Sequence, residues 1–318
     1  MTTTQRSTVI TGGAGFIGQH LTRHLAGKGL AVSVIDSQST GAWDTSINAL
    51  FVPADLRHLS EIDLDRLLPD NGTLFHLAAA KYNTPGVSLS DLVESNVAAT
   101  ARLFQCAARK GMRIVFASSL YAHGGFGPLP MSEHDRPAPT TVYGATKLFG
   151  ENLLTSLSSP TRPTDEVLQF VHSSVRLMFV YGPNQYPGKG YKSVIRTHFE
   201  RINNMESPIV IGDGEQVLDY IYVHDVVHLL ARLAEMSSPP SLINIGSGEG
   251  TSILELTQKV QEVTGSTEHF VTFPADHTHG TSRVADISLL KRTFPDFQPT
   301  PLDEGLAATW QSFAQEIQ

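Results

Sequence analysis

Thr11-Gly12-Gly13-Ala14-Gly15-Phe16-Ile17-Gly18 is the stretch on which the reading of this chain turns. Ahead of it, Ser7-Thr8-Val9-Ile10 is a β-branched run that suits a buried strand. Behind it, Ile17, Leu21 and Leu25 recur at helical spacing through Ala26, and Gly27 and Gly29 close the segment. A strand, a glycine turn and a helix in that order gather backbone N–H groups and the positive helix end at one spot. Such a spot accepts a pyrophosphate, and a Cβ on the close-approach glycines would block it. The spacing is Gly12-x-x-Gly15-x-x-Gly18, and by itself a glycine triplet also describes a tight turn. Ala31-Val32-Ser33-Val34-Ile35-Asp36 adds a second buried strand ending in a carboxylate. A carboxylate there accepts the adenosine ribose hydroxyls and repels a 2′-phosphate, although a strand-end Asp can also simply cap a turn. Taken together, the two strands predict a site for NAD rather than NADP.

The bulk numbers bound the rest. At 318 residues the chain suits one large or two closely joined domains. Its 41% hydrophobic and 17% charged residues are those of an ordinary soluble globular protein. A formal charge of −8 argues against a nucleic-acid partner, which would require a basic surface. Cys106 is the single cysteine, so an internal disulfide and a cysteine metal cluster are both excluded; its place in an apolar helical register predicts a buried small hydrophobe. No apolar run approaches membrane-spanning length and Met1 to Arg6 lacks a signal-peptide core, so no membrane partner and a cytoplasmic location are expected. His277-Thr278-His279 falls in a loop without companion ligands, and no metal is expected.

Beyond Asp36, Ser37 to Gly41 is a polar loop, Ala49 to Val52 a third strand, and Thr73 to Ala80 a fourth running into small residues. A long helix from Ser88 to Lys110 carries Asn96 in its middle, and Met112 to Ser119 is a fifth strand ending in hydroxyls. Gly124 to Pro139 is a Gly- and Pro-rich loop, after which Tyr143-Gly144-Ala145-Thr146-Lys147 opens a helix running through Leu154. Gln169 to Tyr181 reads as a sixth strand, Asn184 to Lys192 as a loop, and Asp213-Gly214 as a hairpin-like turn. A helix over Val223 to Ala234, a strand over Leu242 to Gly246, a helix over Ile253 to Thr264 and a short one over Asp303 to Ala314 complete the chain. Strands alternating with helices at this rhythm predict an α/β fold with a doubly wound parallel (Rossmann) sheet.

The chemistry lies at Ser119, Tyr143 and Lys147. Tyr143 and Lys147 stand four apart on a helix and share one face. A free phenol, with a pKa of ~10, is a poor base at neutral pH. A neighbouring ammonium and the positive nicotinamide favour the phenolate, and Ser119 can hydrogen-bond the same substrate oxygen. Alone, Tyr-x-x-x-Lys is most often an ordinary helix surface pair; the glycine turn, Asp36 and the hydroxyls ending the fifth strand change that weighting.

On these motifs the chain resembles the extended short-chain dehydrogenase/reductase family, the NAD-dependent nucleotide-sugar epimerases and dehydratases. The likeness spans essentially the whole chain and includes Thr11 to Gly18, Asp36 with Ser39-Thr40-Gly41, Asp55-Leu56, His76 to Lys81, Asn96, Ser118-Ser119 and Tyr143 to Lys147. It continues through Tyr181-Gly182-Pro183, Gly212-Asp213-Gly214, Tyr222 to Val226 and Asn244-Ile245-Gly246. The resemblance implies a cofactor site built from Gly12, Gly15, Phe16, Ile17, Gly18, Asp36, Ser39, Thr40, Gly41, Asp55, Leu56, Leu77, Ala78, Ala79, Lys81 and Asn96, with Tyr143 and Lys147. Asp55-Leu56 would read the adenine. It also implies an NAD-binding Rossmann domain over 1–181 plus about 218–246, and a smaller α/β substrate domain over about 182–217 plus 247–318. A homodimer is a further implication.

Departures narrow the reaction. Dehydratases of the family carry an Asp-Glu pair after the catalytic hydroxyl and nucleotide-sugar decarboxylases a Glu, where this chain has Leu120-Tyr121. What remains suffices for reversible hydride transfer at one secondary alcohol, as in the 4-epimerases. The family's diphosphate-gripping Arg is Leu218 here, its Asn three residues after the strand-six Arg176 is Phe179, and the Arg after Tyr-Gly-Pro is Asn184. Arg283 survives, and Lys189, Lys192 and Arg196 are candidates to supply the missing charge, or else solvated charges. The expected function is NAD-dependent epimerisation of a nucleotide-activated sugar. The alternative is a dehydrogenase or ketoreductase of the same fold whose substrate has no nucleotide diphosphate. A catalytically silent NAD-binding scaffold is disfavoured by the intact Ser119, Tyr143 and Lys147.

Overall fold

Neighbouring residues of the first strands, Val9 and Ile10, Val34 and Ile35, Leu74 and Phe75, Ile114 and Val115, are all buried. Since alternate side chains of a strand point to opposite faces, such pairs require a sheet covered on both sides. The computed structural model, which describes residues 6–81, 84, 86–124, 129–159, 168–185, 192–275 and 282–316, shows that sheet. Its strands are β1 (Thr8–Thr11), β2 (Val32–Asp36), β3 (Leu50–Pro53), β4 (Thr73–His76), β5 (Arg113–Ser119) and β6 (His172–Leu177). Strands β7 (Phe179–Tyr181), β8 (Ile209–Ile211), β9 (Val217–Tyr222), β10 (Leu242–Ile245), β11 (Gly250–Ser252) and β12 (Val271–Phe273) follow. Seven of them form one sheet in the order β10-β6-β5-β4-β1-β2-β3. Every pairing in it is parallel.

One face is covered by α1 (Phe16–Gly27) and α8 (Val223–Glu235), whose Leu21, Leu25, Val226, Val227 and Leu230 join Ile10, Val34, Phe75 and Val115 in one core. The other is covered by α2 (Glu61–Leu67), α4 (Thr100–Arg109) and α6 (Val142–Ser158). There Leu64, Leu103, Phe104, Cys106 and Leu154 meet Val9, Ile35, Leu74 and Ile114. Between α1 and α8 in sequence come also α3 (Leu89–Val93), α5 (Leu120–His123) and α7 (Val194–Asn203). After α8 come α9 (Ile253–Thr264), α10 (Ser288–Thr293) and α11 (Leu302–Glu316). This is the doubly wound parallel fold expected from the sequence. No helix among the described residues is long and apolar enough to cross a membrane.

Three features differ from the sequence reading. The run Gln169 to Tyr181 is not one strand: at Met178 the chain leaves the large sheet, Ser119 pairing with Leu177 but Phe179 pairing with Tyr220. Phe179–Tyr181 therefore belongs to a three-stranded sheet, β11-β9-β7, over a separate core of Tyr181, Phe199, Leu218, Leu256 and Phe313. Asp213-Gly214 does not close a hairpin either. Strand β8 before it pairs in parallel with the distant β12, while β9 after it pairs with β7 and β11. Finally, the helix read over Ser88 to Lys110 is present, but Glu94–Ala99 within it is π-helical.

Candidate active site

In this strand order, β1 is the point from which the chain winds outward both ways, so a crevice opens beyond the ends of β1 and β4. The glycine turn fills its floor. Gly12, at φ +76°, lies so close to the chain leaving β4 that a Cβ on it would stand 2.5 Å from Ala78 N. A Cβ on Gly18 would stand 2.1 Å from Gly12 O. The cap residue of α1, Gly15, makes no side-chain capping bond, and no acidic residue occupies the first turn. By contrast, α2, α3 and α9 begin with Ser60, Ser88 and Ser252 capping boxes. The first N–H groups of α1 are left without a capping side chain beside the crevice, as a pyrophosphate cradle requires.

Asp36 ends β2 beside this turn. Its Oδ2 accepts from Ala14 N at 3.0 Å and its Oδ1 from Gln38 N at 2.6 Å, which fixes the carboxylate against the glycine turn. Burial pushes its carboxyl above the ordinary range. Gln19 donates to the carbonyls of Ala14 and Ala42, and a Cβ on Gly41 would stand 2.6 Å from Ala14 O. The Ser39-Thr40-Gly41 loop is thereby drawn to the crevice, with Ser39 and Thr40 exposed. Phe16 and Ile17 are half-buried at the start of α1. Asp55 is held by Arg57, whose Nη2 lies 2.7 Å from Oδ2 and whose Nη1 reaches Asp91 at 2.7 Å. That pairing lowers the Asp55 carboxyl, and Leu56 beside it is buried.

The chain leaving β4, Leu77 to Lys81, forms the crevice wall. Asn96 pins it: its Oδ1 accepts from Ala80 N at 2.8 Å, while its Nδ2 donates to Ala80 O at 2.9 Å and to Thr146 Oγ1 at 3.1 Å. The π-helical turn is where Asn96 sits, so an irregularity in the helix coincides with the residue that ties β4 to α6. His76, buried at the end of β4, bridges Thr11 Oγ1 (2.7 Å) and Thr100 Oγ1 (3.0 Å).

Across the crevice, Ser119 ends β5 and accepts from Tyr121 N at 3.3 Å. Tyr143 and Lys147 lie in the first turns of α6, which Thr141 caps by accepting from Gly144 N at 3.0 Å. The Lys147 Nζ is buried, donates to Ala117 O at 2.8 Å, and lies 5.7 Å from the Tyr143 ring centroid. Burial, with the charge of Lys81 in the same direction, lowers its ammonium to about 7 against the pull of Glu151. Tyr121 meets the Tyr143 ring edge-on at 6.2 Å.

The substrate candidates divide. Arg283 is drawn into this crevice: its Nη1 donates to Gly124 O at 2.6 Å and its guanidinium lies 5.0 Å over the Tyr121 ring. Lys192 and Arg196 instead gather between α7 and α11. Lys192 pairs with Glu200 at 2.6 Å, and Arg196 with Glu200 at 3.0 Å and Glu316 at 2.7 Å. Lys189 and the His277 to His279 loop lie outside the described residues. Leu218 and Phe179 pack in the apolar core under the small sheet.

Two polar clusters escaped the sequence reading. Asp219, fully buried, accepts from Ser247 N and Oγ, Gly248 N and Ala285 N, and so ties β9 to two distant loops. Glu151 and Arg176 form a buried ion pair behind Lys147. The four-residue step from Lys147 to Glu151 was the one available signal.

A glycine cradle at a topological switch point, a strand-end carboxylate and a half-buried Tyr beside a buried Lys define an NAD(P)-dependent enzyme of the dehydrogenase type. The chain belongs to the NAD dependent epimerase/dehydratase family, whose model matches residues 8–246. It is 31% identical over 270 residues to a putative UDP-glucose 4-epimerase of Methanocaldococcus jannaschii, covering 81% of this chain and 82% of that one. It is 28% identical to a UDP-N-acetyl-alpha-D-glucosaminuronate decarboxylase of Bacillus cytotoxicus, over 96% of this chain and 97% of that one. Among solved structures, it superimposes at a TM-score of 0.88 on the UDP-N-acetylglucosamine 4-epimerase of Methanobrevibacter ruminantium in complex with UDP-N-acetylmuramic acid. Identity there is 27%, with 98% and 99% of the two chains covered.

Proposed function

We propose that this enzyme is an NAD-dependent epimerase of a nucleotide-activated sugar, working through a keto intermediate. The observation that carries the reading is the conjunction of a complete Ser119, Tyr143 and Lys147 set with Leu120-Tyr121, which leaves no carboxylate for elimination or for a decarboxylase-type Glu. NAD, cradled by Gly12, Gly15 and Gly18 with its ribose on Asp36, would supply a reversible hydride acceptor. The chain's own groups do the rest. Tyr143 Oη takes the proton of a sugar hydroxyl as the carbon-bound hydrogen leaves as hydride. Ser119 Oγ holds the same oxygen, and the Lys147 ammonium favours the phenolate before the proton arrives. The ketone turns in the pocket, and return of hydride to its other face, with the proton coming back from Tyr143, inverts one centre. Asn96 fixes the wall beside α6 throughout. The proposed division is a Rossmann domain of 1–181 plus about 218–246 with a substrate domain of the remainder, the small sheet β11-β9-β7 lying across the boundary between them, assembled as a homodimer.

A second reading, a dehydrogenase acting on a substrate without a nucleotide diphosphate, is favoured by one observation: Leu218 and Phe179 are packed into apolar core, and Lys192 and Arg196 are paired with glutamates. Incubation of the protein with UDP- and dTDP-sugars and with unactivated polyols separates the two. Epimerisation predicts an inverted product and no net reduced-nicotinamide absorbance, whereas stoichiometric reduced cofactor with an oxidised product released would establish the dehydrogenase instead.

A further inference from the structure

Behind the Tyr143–Lys147 face lies an ionic cluster that the chemistry above does not use. Glu151 follows Lys147 by one turn of α6 and faces the same way, toward the sheet. Its Oε1 accepts from Ser118 Oγ and from Arg176 Nε at 3.0 Å, and its Oε2 from Arg176 Nη2 at 2.8 Å. Glu151 is 6% and Arg176 2% exposed. The partners are telling: Ser118 precedes Ser119 directly, and Ala117 before it gives its carbonyl to Lys147. Consecutive residues of β5 are therefore fastened to Lys147 and to Glu151, and the strand then presents Ser119.

An ion pair this deeply buried is no route to stability in itself. Desolvating both ions offsets the attraction, and apolar side chains of equal size would hold strand against helix as well. The surroundings of Lys147 supply a reason for the charge. Facing its Nζ are the Phe116 ring at 4.9 Å, the Tyr143 ring, the Ala117 carbonyl, the buried neutral His76 of β4, the ammonium of Lys81, and Glu151 with its partner Arg176. Burial and Lys81 disfavour the ammonium form, and Glu151 is the carboxylate opposing them.

We propose that Glu151 is a positioning residue for proton transfer, fixing the Ser119 end of β5 against α6 and holding Lys147 charged beside Tyr143. This rests on reading Tyr143 and Lys147 as the proton-transfer pair. The test is the phenol titration of Tyr143, read from absorbance near 295 nm as the difference between each protein and its Tyr143→Phe counterpart, with and without saturating NAD. In the otherwise unsubstituted chain the midpoint should lie below the ordinary ~10; a midpoint at that value removes the pair itself as the base. Given a lowered midpoint, Glu151→Gln should raise it by about one pH unit or more, leaving roughly tenfold less phenolate at neutral pH. Glu151→Asp, which keeps the charge, should restore most of the shift, and Ser118→Ala, which removes one bond only, should move it far less. Because Glu151→Gln strands the Arg176 charge, the double variant Glu151→Gln/Arg176→Met is titrated alongside. A midpoint unchanged in either folded Glu151→Gln protein overturns the proposal and leaves a purely structural pair.

Discussion

In the proposed mechanism it is the setting that would make a base of Tyr143, since the phenol alone holds its proton until far above neutral pH. The buried Lys147 ammonium, 5.7 Å from the ring, supplies the setting. Tyr143→Phe keeps the ring, its packing on Tyr121 and the turn of α6, and removes only the proton carrier. Turnover should therefore fall ~100- to 10,000-fold, with NAD affinity nearly unchanged by calorimetry. Retention of more than about a tenth of the turnover would move the role to another group. Asp36 poses the matching question for the cofactor. Its carboxylate is already fixed by Ala14 N and Gln38 N, so it would meet a ribose without rearrangement. A charged hydrogen-bond partner is worth ~1.5–3 kcal/mol, so Asp36→Ala should weaken NAD more than about tenfold and narrow the gap to NADP. Equal affinities for the two in the unsubstituted protein would contradict the assignment.

At the scale of elements, the junction of β1 and α1 carries most of the proposed cofactor site, and its tolerance to a single methyl group is a sharp test. Gly18→Ala would set a Cβ 2.1 Å from Gly12 O and 2.6 Å from Gly13 Cα, both backbone atoms that cannot step aside alone. The turn must open, costing about 1–3 kcal/mol of stability and abolishing measurable NAD binding. Gly27→Ala, on the same helix with nothing within 4 Å, is the control: NAD binding should stay unchanged, with up to about 1 kcal/mol of added stability in urea melts. This junction was legible in the sequence because everything it needs is local: β-branched run, glycine spacing, helical apolar period. The Tyr143–Lys147 face was legible for the same reason. The switch of sheets at Met178 was not, since the apolar run from Gln169 to Tyr181 contains no Gly or Pro and the break depends on Ile245 and Tyr220 as competing partners. The parallel pairing of β8 with β12 and the Asp219 hub were hidden likewise, their partners lying far along the chain. The π-turn at Asn96 leaves no mark in a helical period; Glu200, four residues after Arg196 and eight after Lys192, was within reach of a sequence reading, whereas Glu316, 120 residues from the arginine, was not.

Over the whole molecule, buried histidines set a common response to acid. His20 bridges α1 to the chain after β7 through Pro183 O (2.9 Å), His76 bridges β1 to α4, and His198 bridges α7 to α9 through Thr257 (3.0 Å). One lies at the crevice, one against the small sheet's core, and one joins the two. Burial lowers all three imidazoles from 6.5, His20 and His198 to about 4 and His76 to about 3. A folded value below the unfolded one means the unfolded chain binds the extra protons, so their contribution is fully present above pH ~6.5 and is lost as pH falls toward the folded values. Between pH 6.5 and 5, His24, His172 and His224, also lowered by burial, act in the same direction, while Lys147, at about 7, is mostly protonated in both states and carboxylates held low by surface partners titrate further down. Asp36 and Asp219, raised by burial, have the opposite sign and oppose the loss as the pH falls. The three protons of His20, His76 and His198 near pH 5 by themselves correspond to a slope of about 4 kcal/mol per pH unit. Urea melts at pH 7, 6 and 5 should show stability falling steeply across the series. His198→Gln, which can still meet Thr257 without titrating, should lower the slope by about 1.4 kcal/mol per pH unit while leaving NAD affinity at pH 7 unchanged. A flat profile from pH 7 to 5 would mean that these imidazoles are charged, or reach water, in the folded protein.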